Sequence, residues 1–143
     1  MIEATLWFHD AVYVPKSKKN EEKSADLFMS AFGTNHGISL TTIGQISRAI
    51  LCTKTHKPQS ELEAIVCDID LSILGADEIE YEKYFHNIEE EYSFVPFEKF
   101  VIGRKAFLES MLQKSNIFHI EYFKNLYEEQ AKKNMKWEYS NLL

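Results

Sequence analysis

The chain has 143 residues, 45% of them hydrophobic and 13% aromatic, enough to bury one compact core and too rich in Phe and Tyr for intrinsic disorder. A net charge of −6 excludes a general nucleic-acid surface, and no apolar run approaches the roughly 20 residues that span a bilayer. A single domain in the cytoplasm is expected, with Cys52 and Cys67 as ordinary buried thiols rather than a disulfide.

Only five Gly and three Pro interrupt the chain, and apolar residues recur at three- and four-residue spacing, so an all-α protein of about six or seven helices is expected. The first helix is predicted over residues 2–14. A basic loop at 15–19 follows, and Asn20 caps a second helix to about residue 32, with Glu21 and Glu22 in its first turn. Residues 33–37 read as a turn. Ile43, Ile46, Ile50 and Leu51 mark the apolar face of a third helix ending near His56, ahead of Pro58. Ser60 and Glu63 form a capping-box pattern for a fourth helix that runs to Gly75. Asp77-Glu78-Ile79-Glu80 opens a fifth, to about residue 95, and two further helices are predicted over 98–114 and 120–137.

Two stretches stand out against this pattern. In the first, Leu6 to Tyr13, the adjacent pair His9-Asp10 lies among large apolar side chains, where unpartnered polar groups are costly, roughly 2–7 kcal/mol each. The second, Cys67 to Gly75, places Asp68 and Asp70 inside another apolar run. Together they supply a nitrogen and several oxygens, a ligand set suited to a hard or borderline divalent metal. Asp68 and Asp70 diverge on a regular helix, and their spacing does not choose between them. The competing reading of His9-Asp10 is a chance dipeptide on a solvated face. His36, His86 and His119 have no spacing that suggests ligation and read as surface or core histidines.

The segments WFHDAVY, NEEKSA, TKTH, DIDLSILG, EYSFVP, VIGRKAFL, NIF and EQAKKNM, in that order along nearly the whole chain, resemble a predicted metal-dependent phosphohydrolase branch of the HD-domain superfamily. The resemblance implies an HD-domain/phosphodiesterase-like helical bundle with a divalent metal, one of manganese, cobalt, nickel, iron, zinc or magnesium. By motif position His9 and Asp10 match the family's His-Asp pair and Asp70 its distant Asp. His56 matches a His that follows the third helix, where interaction with the helix dipole is an equal alternative.

The implied reaction is hydrolysis of a small phosphorylated substrate, a nucleotide foremost, by a metal-activated water. Asp10 would hold the metal and orient the water, and Glu22 is a candidate base. Arg104 and Lys54 are candidate phosphate contacts; for Arg104 an ion pair with one of the many glutamates is weighed above that role. Two departures from the family pattern carry the alternative of a degenerate domain working in ligand binding or assembly. No His precedes His9, where relatives carry a helix with their first metal-binding His, and Glu89 stands where relatives tend to have Arg. Apolar surface that such a helix would cover makes a homodimer the expected assembly.

Overall fold

A computed structural model describes residues 1–34 and 37–142; His36 lies outside the described residues. The described residues form seven α-helices and one 3-10 helix, with no strand among them. No helix among them is long and apolar enough to cross a membrane. The contacts gather into two compact units, Met1–Asp70 and Leu71–Leu143.

The first unit holds α1 (Ile2–Phe8), α2 (Asn20–Phe32), α3 (Leu40–Cys52) and α4 (Glu61–Asp70). Its core joins Ala25 and Phe28 of α2 to Ile43, Ile46 and Ile50 of α3, the apolar stripe that the spacing predicts. Phe8 closes this core, its ring edge-on to Phe28 at 5.2 Å and to Phe32 at 5.7 Å.

The first helix is shorter than predicted. It stops at Phe8, and the chain beyond it is held by side chains of α2. Ser24 Oγ accepts from the Val12 N–H at 3.0 Å, and Asn20 grips Val14 from both sides, its Oδ1 accepting from Val14 N–H at 3.1 Å and its amide donating to Val14 O at 3.0 Å. These bonds satisfy the backbone groups that a continued helix would have paired with itself. Asn20 is therefore a staple for residues 12–14, while Lys19 is the N-cap residue of α2 and makes no side-chain capping bond.

The third helix also ends early, at Cys52, and a turn carries the chain to His56, whose N–H donates to Cys52 O at 2.8 Å. His56 sits at φ 50°, the left-handed region that costs a non-glycine residue of order 1 kcal/mol. The start of α4 follows expectation: Ser60 Oγ accepts from Glu63 N–H, and the Glu63 carboxylate reaches back to the Gln59 N–H.

The second unit holds the 3-10 helix (Leu71–Gly75), α5 (Glu78–Glu91), α6 (Phe97–Leu112) and α7 (Glu121–Asn141). Asp77 caps α5 by accepting from Ile79 and Glu80 N–H, as its sequence predicts. Leu71, Leu74, Tyr81, Phe85, Leu108, Met111, Ala131 and Met135 form its core.

Gly75 lies against the backbone of α7: a Cβ there would stand 2.5 Å from Tyr127 Cβ and 2.8 Å from its carbonyl oxygen. Backbone cannot swing aside as a side-chain tip can, so Gly75→Ala is expected to destabilise by about 3 kcal/mol, the upper range for overpacking. Urea unfolding would measure it, and a change under about 0.5 kcal/mol would mean that α7 is free to shift.

Candidate metal site in the first unit

Three segments deliver the singled-out residues of this unit. His9 is the C-cap of α1, Asp10 follows it, His56 ends the turn after α3, and Asp70 is the last residue of α4. Asp70 stands between the two imidazoles, with His56 Nε2 2.8 Å from its Oδ2 and His9 Nε2 3.4 Å from its Oδ1. Asp10 Oδ2 approaches the same His9 nitrogen at 3.4 Å.

The carbonyl of Leu6 accepts from His9 Nδ1 at 2.8 Å. A carbonyl oxygen cannot donate, so Nδ1 carries the proton and Nε2 is the nitrogen presented to the carboxylates. The His9 side chain is 19% exposed and that of Asp70 26%, whereas Asp10 is 60% exposed.

Electrostatics follow from this enclosure. The bond with Asp70 raises the His9 imidazole to about 9 against opposing burial, with Leu6 and Asp10 adding to the rise. Burial pushes the Asp70 carboxyl up, but its bonds with His56 and His9 outweigh that and hold it at about 2. The Asp10 carboxyl lies above its ordinary value because burial exceeds the attraction of His9.

A raised His9 stabilises the fold fully below its unfolded value of 6.5, and the contribution disappears as pH rises through 9. A depressed Asp70 stabilises above its unfolded value of 3.8 and ceases to do so as pH falls toward 2. The metal-free protein is therefore expected to lose about 2 kcal/mol between pH 6.5 and 9. Thermal unfolding of wild type and His9→Gln across this range tests it, and equal slopes for the two would exclude His9 as the source.

Of the two aspartates between which the sequence leaves the choice open, Asp70 meets the histidines, while Asp68 is fully buried within α4. Glu22 and Lys54 pair with each other: Lys54 Nζ donates to Glu22 Oε1 at 2.5 Å and to Lys18 O at 2.6 Å, with Glu21 at 3.8 Å. The Lys54 ammonium holds the Glu22 carboxyl below its usual range. Glu22 Oε2 is enclosed without a hydrogen-bond partner among the described residues.

Arg104 belongs to the second unit. Its Nε and Nη2 donate to Glu138 at 2.5 and 3.1 Å, and Tyr81 OH donates to the same carboxylate at 2.6 Å. This is the ion-pair alternative weighed from the sequence. Burial opposes the guanidinium charge, but Glu138 outweighs it and raises the Arg104 pKa. Sequence reasoning missed Glu138. The signal was present in its position on the buried stripe of α7 that includes Ala131, Asn134 and Met135, at helical spacing. Glu89 accepts from His86 at 3.0 Å on an exposed face of α5.

Two imidazole nitrogens and two carboxylates are the donor chemistry of a borderline divalent cation, and the Leu6 carbonyl behind His9 is the kind of outer partner that orients a ligating imidazole. Among the described residues no three His, Cys, Asp or Glu already surround a cation-sized space; the four side chains close on one another as ion pairs. A cation would take the place of those pairs.

Comparison of the chain with protein-family models, with curated proteins and with solved structures finds no match.

Proposed function

We propose that His9, Asp10, His56 and Asp70 form the divalent-cation site of a cytoplasmic HD-type phosphohydrolase that cleaves a small phosphorylated compound, a nucleotide foremost. The observation that carries this reading is the convergence of two histidines from separate segments on Asp70. The left-handed backbone also closes the end of α3 through the His56 N–H to Cys52 O bond, so the convergence of the two rings on one carboxylate, rather than the backbone, carries the reading.

When bound, a divalent cation supplies Lewis acidity and neutralises charge on a phosphoryl oxygen. His9 and Asp70 anchor the site, being half-buried and oriented, and Asp10, the most exposed member, faces incoming substrate and orients its attacking water. Lys54 contributes a positive charge beside Glu22. Transfer of Lys54 to a substrate phosphate frees the Glu22 carboxylate to act as base.

The alternative is a degenerate domain that binds or assembles without catalysis, favoured by the direct pairing of His56 with Asp70 and of Lys54 with Glu22. Either reading admits a homodimer through the apolar face of α1, where Trp7 is 75% exposed.

Thermal melts with manganese, cobalt or nickel, alongside a screen of phosphomonoesters and nucleotides, separate the readings. The enzyme reading expects a metal-dependent rise in Tm together with metal-dependent phosphate release. A rise in Tm without turnover supports the degenerate domain, and no rise with any of the metals overturns the cation site.

A further inference from the structure

A second feature lies wholly within residues 71–143. A cavity of about 490 Å³ is bounded by α5, the turn after it and α6, a size typical of small-molecule sites. The rings of Tyr92, Phe100 and Phe107 form much of its lining. The Arg104 guanidinium lies over Phe107 at 4.9 Å and over Tyr84 at 5.4 Å.

Gly103 is the informative position. It sits inside the 16-residue helix α6, where glycine is less favourable than alanine. Its φ is not positive, so the backbone does not require glycine, and a Cβ built there meets nothing within 4 Å, so the packing of the protein does not require it either. What the missing side chain leaves is bare helix backbone on the cavity wall, the surface against which a ligand approaches closely.

Charge narrows the ligand class. Glu138 neutralises Arg104, and Lys99, exposed on the cavity wall, adds a positive charge. We propose that this cavity binds a flat aromatic acid, its ring system packed on Tyr92, Phe100 and Phe107 across Gly103 and its acid group turned to Lys99.

Titration of the full chain with 2-naphthoate and with neutral 2-naphthylmethanol, followed by NMR, tests it. The acid is expected to bind with a Kd below about 1 mM and the alcohol about fivefold more weakly. Gly103→Leu fills the wall and is expected to weaken naphthoate binding at least about tenfold without lowering Tm, while Lys99→Gln removes the preference for the acid. If the leucine variant fails to fold, Gly103→Ala offers a smaller obstruction, with an expected weakening of about threefold. Absence of saturable binding, or binding unchanged by a folded Gly103 variant, overturns the site. Equal affinity for acid and alcohol overturns the assigned class.

Discussion

Arg104→Ala is expected to lower stability by about 3–5 kcal/mol, the cost of leaving a buried carboxylate without its counter-charge. Glu138 has no solvent exposure, and the Arg104 side chain only 10%, so water cannot replace the lost guanidinium. The two donor bonds from Arg104 and the third from Tyr81 leave Glu138 satisfied in the wild type. Glu138→Leu alone strands the guanidinium and is expected to cost a similar amount. The double variant Arg104→Met/Glu138→Leu removes both charges together and is expected to recover most of the loss. About 1 kcal/mol remains because the Tyr81 hydroxyl loses its acceptor. Urea unfolding of Arg104→Met, Glu138→Leu and the double variant forms a closed cycle. Additive losses would mean that the pair is not coupled, contrary to its geometry.

Asp70→Ala is expected to have the largest effect on function: loss of any metal-induced rise in Tm and, if the protein is the proposed hydrolase, loss of turnover. Among the described residues Asp70 is the carboxylate paired with both histidines, so its loss removes the group they share. The same variant is expected to destabilise the metal-free protein by about 1–3 kcal/mol, because His9 and His56 lose their shared acceptor. Asp10→Ala separates the two consequences. Asp10 is mostly exposed, so its removal is expected to change metal-free stability by no more than about 0.5 kcal/mol, while still weakening the metal response. If Asp10→Ala leaves metal response and turnover intact, Asp10 is not a ligand; if Asp70→Ala does so, the cation site is wrong.

Helix starts were the most legible features. Ser60 and Asp77 act through side-chain bonds to N–H groups two or three residues away, so the signal and its effect lie in the same short stretch. Helix ends were less so. At the end of α1 the His9 ring takes the Leu6 carbonyl, and Ser24 and Asn20, 12 and 6 residues from their partners, supply further bonds that compete with helix continuation. The same remoteness turned Asn20 from the expected cap into a staple.

By itself the sequence determined the all-α class, the apolar stripe of α3 and the identity of the polar residues set among hydrophobic neighbours, because periodicity and composition are local properties. The spacing of Asp68 and Asp70 showed that they diverge but not which would meet a histidine. Only the tertiary structure decided that Asp70 joins His9 and His56, that Glu22 is engaged by Lys54, and that Arg104 is held by Glu138. The physical reason is distance along the chain. His56 and Asp70 are 14 residues apart, Glu22 and Lys54 32, and Arg104 and Glu138 34, so each pairing is set by how helices pack rather than by neighbouring sequence.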